Sequence, residues 1–178
     1  ERLEAEFDPG VNLIVGDNAQ GKTNLLEAMV YLSMGRSYRT RREQELIRFE
    51  AEFAELSANV TAQEREQALR AVLFSGRRPR QLWLNGVKQK TAAEFTGVLH
   101  SVLFCPEDLY LIREGAAARR DFLDDCICQL RPRYAEALAE YGRLYEHKTR
   151  ILRDSEEKPQ LLELLPEFNQ RLCRVGAV

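Results

Sequence analysis

The first residues with recognisable chemistry lie at positions 16–23, where the chain reads GDNAQGKT. This segment fits the pattern G-x-x-x-x-G-K-[ST], which is typical of loops that bind the phosphates of a nucleoside triphosphate. In such loops backbone N–H groups converge on the phosphates, the lysine reaches the β- and γ-phosphates, and the last hydroxyl holds Mg²⁺. We therefore predict that Thr23 is a ligand of Mg²⁺ and that a nucleoside triphosphate is bound by the whole loop: Gly16, Asp17, Asn18, Ala19, Gln20, Gly21, Lys22 and Thr23.

Two elements must position this loop. Residues 11–15 form a short, mostly apolar run rich in β-branched side chains, which predicts a buried strand. After the loop, apolar residues recur at helical spacing, which predicts a helix from about Lys22 to Gly35; they are Leu25, Leu26, Met29, Val30 and Leu32. We expect Gly16 and Gly21 to adopt backbone conformations that residues with a Cβ disfavour.

The composition is that of an ordinary globular protein. The chain has 178 residues, 44% of them hydrophobic, which is enough for a core in one domain or in one and a half. No apolar run approaches the roughly eighteen residues of a membrane helix, and no signal peptide is visible, so we expect a cytoplasmic protein without membrane contact. The net charge of −2 does not by itself indicate a nucleic-acid partner. Both ends look trimmed, because the chain opens within a strand pattern and closes without a helix cap.

The cysteines do not form a recognisable metal site. They contain no C-x-x-C pair and no neighbouring histidine cluster, which argues against zinc. We expect reduced thiols, mostly packed in the interior, at Cys105, Cys126, Cys128 and Cys173.

Strand patterns cover the first two-thirds of the chain. Apolar and charged residues alternate at positions 2–7, and the turn residues Asp8-Pro9-Gly10 predict a hairpin into the strand at 11–15. Residues 52–104 are expected to form antiparallel strands, with Asn85-Gly86 as the turn between strands at 81–84 and 87–89. A further buried strand is predicted at 98–104.

From Pro106 onward the pattern is helical. Pro106 suits the first position of a helix whose first turn carries Glu107 and Asp108. Further helices are predicted over 119–130, after Pro132, and from Pro166 with Phe168, Leu172 and Val175 on its apolar face. The helix after Pro132 has an apolar stripe that we interpret as core: Tyr134, Leu138, Tyr141, Tyr145 and Leu152.

Two basic segments are candidates for phosphate contact. The first follows the loop helix at 35–42 and includes Arg36 and Arg39. The second surrounds the Asn85-Gly86 hairpin and consists of Arg77, Arg78, Arg80, Lys88 and Lys90. Each could bind the phosphates of DNA, or simply form a solvated charged surface.

Three motifs together resemble the RecF family, bacterial recombination-repair ATPases related to the heads of SMC proteins. The loop resembles the family's G-x-N-x-x-G-K-T, and residues 35–40, GRSYRT, resemble its G-R-S-x-R-T. Residues 103–124, which contain LFCPEDL, REG and RRDFLD, resemble its F-x-P-E-D-L, glycine and R-R-x-F-L-D. The resemblance covers essentially the whole chain in order.

The resemblance implies an α/β P-loop NTPase of the ABC-ATPase head type, with an antiparallel β subdomain and the start of a helical second lobe. We expect the head at 1–105 and the lobe at 106–178. It also implies ATP-dependent binding of double-stranded and gapped DNA in recombinational repair, replication restart and the SOS response. The implied partners are RecR and RecO, together with a second copy of the protein in an ATP-dependent homodimer.

The resemblance also sets a limit on catalysis. The family's signature motif and its Walker B acidic pair are not recognisable in this chain, since FLDD at 122–125 belongs to the R-R-x-F-L-D motif. We therefore expect weak, DNA-stimulated ATPase activity from the full-length protein and little or none from this piece. Two alternatives remain: a small P-loop kinase, and an interaction module whose loop no longer binds nucleotide.

Overall fold

The computed structural model describes residues 2–62, 65–111, 113 and 115–178. Four α-helices, a four-stranded sheet and three 3₁₀ turns form these parts of the chain. The helices are α1 (Lys22–Met34), α2 (Ala116–Leu130), α3 (Pro132–Asp154) and α4 (Leu165–Val175). The strands are β1 (Phe53–Ala62), β2 (Arg65–Phe74), β3 (Gln81–Leu84) and β4 (Val87–Gln89), and the 3₁₀ turns are Glu43–Leu46, Pro106–Tyr110 and Pro159–Leu164.

The sheet is antiparallel throughout, in the order β1-β2-β3-β4. Asn85 and Gly86 connect β3 to β4 with φ of 51° and 77°, which is the left-handed backbone of a type I′ hairpin turn. One face of the sheet packs against α1 and the segment after β4; its core side chains are Tyr31, Leu32, Leu69, Ala71, Leu73, Leu82 and Phe95. The predicted antiparallel strands and their hairpin are confirmed.

Three predicted strands are not formed. No hydrogen-bonded strand is present at 2–7, 11–15 or 98–104, although all these residues are described. Val11 and Val102 are almost fully exposed, at 97% and 99%. The predicted turn between residues 7 and 11 is present. The Asn12 side-chain oxygen accepts a hydrogen bond from the Asp8 N–H at 2.9 Å, and the Asn12 side-chain nitrogen donates to the Asp8 carbonyl at 2.7 Å. The hairpin prediction was wrong, because these two segments do not form the backbone ladder that defines paired strands.

The helices form where the sequence patterns predict them, but the burial of their side chains differs from the prediction. Leu144 and Ile151 are the buried residues of α3, whereas Tyr145 and Leu152 of the predicted core stripe are 58% and 47% exposed. Most of the stripe instead lines an open cavity of about 790 Å³ between α3 and α4. Calling the stripe core was therefore wrong, because α4 alone does not cover it.

The remaining corrections are local. Pro106 begins a short 3₁₀ turn, closed by a 2.6 Å hydrogen bond from the Cys105 N–H to the Asp108 carboxylate; the Glu107 side chain lies outside the described residues. The cysteines are not mostly interior, although that was expected: Cys126 and Cys173 are exposed, and Cys105 and Cys128 are half-buried. Among the described residues, no helix is both long and apolar enough to cross a membrane.

Candidate nucleotide-binding site

The loop at 16–23 leads directly into α1. Gly21 is the N-cap of that helix and has φ of 88°, a left-handed conformation that favours glycine. Ala19 shares this region with φ of 63°, whereas Gly16 has no positive φ and room for a Cβ. Gly21 therefore behaves as predicted, but the second left-handed position is Ala19 rather than Gly16.

The N-terminus of α1 is positively polarised and uncompensated. The amides of the first helical turn have no carbonyl one turn earlier in the helix, so they carry the positive end of the helix dipole. The first turn contains no acidic residue, and no side chain caps it. Such a terminus attracts phosphate groups.

Lys22 brings a full positive charge to the same place. Its Nζ donates hydrogen bonds to the carbonyl oxygens of Gly16 and Asp17, both at 2.6 Å. The ammonium group therefore lies over the loop, at the helix end where a phosphate would be attracted. Since Lys22 is also the first residue of α1, the helix and the charge are positioned together.

Thr23 is exposed in the first turn of α1. Its hydroxyl is suited to Mg²⁺, which prefers oxygen ligands and commonly shares them with substrate phosphates. No cluster of three or more His, Cys, Asp or Glu side chains suited to a metal occurs in the described part of the chain. The role of Thr23 as a ligand of Mg²⁺ stays a prediction.

The basic segment at 35–40 folds back onto α1. The Ser37 hydroxyl donates to buried Glu27 at 2.5 Å and accepts from the N–H groups of Arg39 and Thr40 at 2.9 and 3.2 Å. Arg39 donates to the other oxygen of Glu27 at 3.0 Å. The motif GRSYRT therefore forms a closed turn around a carboxylate of the loop helix. Sequence reasoning missed Glu27, although its place on the same helix face as Val30 and Tyr31 marks it as a polar residue directed inward.

Arg36 and Gln129 connect this region to α2. Arg36 forms a salt bridge with Asp125, and the Gln129 side chain is buried between Ser33 of α1 and Ser101. The Gln129 amide oxygen accepts from the Ser33 hydroxyl at 3.0 Å and from the Ser101 N–H at 2.8 Å, and its nitrogen donates to the Ser101 carbonyl at 3.1 Å. No sequence pattern singled out Gln129, because its partners are distant along the chain.

Arg80 points inward at the opposite end of α1 from the loop. Its Nη1 donates to the Tyr31 hydroxyl at 3.1 Å and to the Gly35 carbonyl at 2.7 Å, and it forms a salt bridge with Glu43. Burial raises the pKa of Tyr31 well above its ordinary value, and the hydrogen bond to Glu43 acts in the same direction. The structure thus separates Arg80 from the hairpin cluster in which the sequence placed it.

The other members of that cluster point outward. Arg77, Arg78, Lys88 and Lys90 are all exposed, and none forms an ion pair with another described residue. Arg78 lies against the ring of Phe74, with its guanidinium carbon 4.1 Å from the ring centroid. These four cations remain available to an external anion. Their contact with DNA, like that of Arg36 and Arg39, stays a prediction.

Comparison with known proteins agrees with this geometry. A family model described as an AAA domain matches residues 1–91. The DNA replication and repair protein RecF of Acidothermus cellulolyticus is 43% identical over 99% of this chain, and that of Bacillus cereus strain G9842 is 35% identical over 99%. These matches cover 48% and 47% of the two relatives, so the chain spans about half the length of the curated relatives it matches.

Solved structures give the same result. The recombination mediator protein RecF of the RecFOR pathway, solved with ATP, superposes with a TM-score of 0.88 at 36% identity. The superposition covers 97% of this chain and 46% of that one. The predicted α/β P-loop ATPase class and the resemblance to RecF are both confirmed. The chain belongs to the AAA domain family and, over the half of their length that it spans, it is similar to the RecF proteins.

Proposed function

We propose that this chain binds ATP through residues 16–23 and is the nucleotide-binding part of an ATP-controlled DNA-binding protein. The observation that carries the proposal is the joint placement of the Lys22 ammonium and the uncapped N-terminus of α1 on one loop. Together they present a positive charge and a helix dipole to one anion. The similar RecF structure solved with ATP supports the same reading.

The same loop supports a proposal for the metal ion, Mg²⁺, and for the ATPase activity. Thr23 would be a protein ligand of Mg²⁺, and the ion would supply neutralisation of negative charge on a transferred phosphoryl group. The residues of this chain bind and orient the nucleotide, with Lys22 at the phosphates. We propose weak, DNA-stimulated ATPase activity for a protein of the relatives' full length and little for this chain alone.

The biological setting is proposed from the relatives. RecF proteins are named for DNA replication and repair, which supports a role in recombinational repair, replication restart and the SOS response. We propose double-stranded and gapped DNA as ligands, RecR and RecO as partners, an ATP-dependent homodimer, and a cytoplasmic location. The division into a head at 1–105 and a helical lobe at 106–178 belongs to the same proposal. The antiparallel sheet supports this reading over a small P-loop kinase, for which alternating strand–helix units and a parallel sheet would be expected.

Thermal unfolding with and without Mg-ATP tests nucleotide binding directly. A ligand that binds only the folded state stabilises it by about 2.7 kcal/mol at a hundredfold excess over its dissociation constant. We expect Lys22→Ala to abolish most of this shift, because the ammonium faces the loop. Lys88→Ala serves as the control, since it removes the same charge from the β4 surface. An equal shift in wild type and Lys22→Ala would contradict the role of Lys22.

A further inference from the structure

The phosphate-binding loop contains one backbone conformation that its residue type disfavours. In the described chain the non-glycine residues with positive φ are Ala19, Glu50 and Asn85, at 63°, 65° and 51°. Asparagine tolerates this left-handed region because its short polar side chain can form local hydrogen bonds, whereas the Cβ of alanine is crowded by the backbone without any such compensation. The loop therefore has a strained position at Ala19, two residues before the left-handed Gly21.

Little in the surrounding structure holds Ala19 in this conformation. Residues 16–20 are all exposed. Lys22 bonds the carbonyls of the first two residues of the loop, and Gly21 caps α1, so these contacts lie at the two ends of the loop. Beyond the adjacent residues, no atom of the described chain lies within 4 Å of a Cβ built at Gly16 or Gly21. Backbone strain persists where neighbouring contacts enforce it, and packing does not enforce it at the tip of this loop.

Glu50 has almost the same φ in a setting that does enforce it. On one side of it Ile47 is buried, and on the other side Ala51 packs against the hydrophobic core. The Ala51 N–H also donates to the Arg48 carbonyl at 3.0 Å, which closes the turn that contains Glu50. The fold therefore fixes the backbone of Glu50 without any ligand. The two positions form a matched pair, with the same strain enforced at Glu50 and not enforced at Ala19.

We propose that Ala19 lowers the affinity of this loop for a nucleoside triphosphate, because its Cβ disfavours in the free protein the left-handed backbone that the bound loop needs. Alternating right-handed and left-handed residues turn successive N–H groups toward one anion, so a bound triphosphate would hold Ala19 left-handed. Where only part of the free protein has the binding conformation, the apparent affinity falls by that fraction. The inference rests on the proposed nucleotide binding and adds the residue that limits it.

Substitutions at position 19 separate backbone conformation from side-chain size. Calorimetric titration with Mg-ATP should show about fivefold tighter binding for Ala19→Gly, since glycine adopts positive φ without cost. Ala19→Asn should bind about twofold tighter than wild type although its side chain is larger, because asparagine tolerates the left-handed region. Ala19→Val should bind several-fold more weakly. Unchanged affinity for Ala19→Gly, or affinities that simply fall with side-chain size so that Ala19→Asn is weaker than wild type, would overturn the proposal.

Glu50→Gly is the matched control, read by thermal unfolding. It relieves strain that the fold always enforces, so it should raise the melting temperature by about 2–4 °C both with and without Mg-ATP. Ala19→Gly should give a rise of similar size with Mg-ATP and little change without it, because the strain arises when the nucleotide is bound. If Ala19→Gly raised the melting temperature without nucleotide as much as Glu50→Gly does, the free loop would already be held left-handed and the proposal would be overturned.

The outcome also separates this inference from the proposed function. If wild type binds Mg-ATP and the variants at position 19 bind it equally well, only the inference fails. If neither wild type nor Ala19→Gly gives a heat of binding or a shift in melting temperature, the proposed nucleotide binding fails, and the inference fails with it. Cooperative unfolding of each variant without ligand confirms that the fold is retained.

Discussion

Two groups of basic residues that look alike in the sequence have opposite electrostatic environments in the structure. Arg36, Arg39 and Arg80 pair with Asp125, Glu27 and Glu43, respectively. A second group, the outward cations Arg77, Arg78, Lys88 and Lys90, forms no ion pair with a described residue. The two groups differ because tertiary contacts bring carboxylates close to the first group only. The charges of neighbouring residues in the sequence do not reveal this. The first group links α1 to its surroundings through ion pairs, whereas the second group projects from the sheet with no ion-pair partner among the described residues.

Arg80 and Arg78 show that residues of the two groups can be close to each other along the chain. Only Pro79 separates it from Arg78, yet its guanidinium reaches the Gly35 carbonyl at the C-terminal end of α1 at 2.7 Å. A cation at that end also complements the negative pole of the helix. The two ends of α1 are thus treated oppositely: the N-terminal end is left open for an anion, and the C-terminal end is satisfied from within the protein.

The largest expected effect is on stability, from Arg80→Ala. This change leaves the half-buried Glu43 carboxylate and the buried Tyr31 hydroxyl without their shared donor. We expect a loss of about 2 kcal/mol, less than for a fully buried pair because both side chains keep partial exposure. Urea unfolding measures it. Arg77→Ala is the control and should change the free energy of unfolding by less than about 0.5 kcal/mol. If Arg80→Ala lowered the free energy of unfolding as little as Arg77→Ala does, the distinction between the paired and the unpaired basic residues would be contradicted.

The inward network also predicts a pH dependence at the alkaline end. Burial raises the pKa of Tyr31 in the folded protein. Its hydroxyl therefore ionises more readily in the unfolded chain, so its contribution is fully present below about pH 10 and is lost as the pH rises above that value. At pH 11 wild type should have lost about 1.4 kcal/mol relative to Tyr31→Phe. If the free energies of unfolding of the two proteins changed in parallel from pH 9 to 11, the raised pKa of the Tyr31 hydroxyl would be contradicted.

The smallest expected effect sharpens the comparison on the DNA side. A cation that contacts duplex phosphate contributes about 0.9 to the slope of log affinity against log salt. Lys88→Ala should lower the slope by about this amount, while Arg39→Ala should change it little, since Arg39 is paired with Glu27. The titration is made on duplex DNA with a protein of the relatives' full length. A lowered slope for Arg39→Ala and not for Lys88→Ala would reverse the assignment of the two groups.

The elements that the sequence predicted well are those with local causes. The loop helix begins and ends where its glycines require, at Gly21 and Gly35, and the Asn85-Gly86 turn has the backbone that its residue types favour. The predicted strands at 11–15 and 98–104 failed for the opposite reason. A strand needs hydrogen bonds from a neighbour, and an apolar run does not specify whether that neighbour is present.

The sequence by itself determined the phosphate-binding loop, the helix that follows it and the hairpin, because each depends on residue types within a few positions of one another. Only the tertiary structure decided which arginines are structural, that Glu27 and Gln129 are buried partners, and that Arg70 and Arg78 lie on aromatic rings. These outcomes depend on contacts between residues up to 96 positions apart, as in the Ser33–Gln129 hydrogen bond. The physical reason is that burial and pairing set the role of a charged side chain, and both are properties of the folded chain.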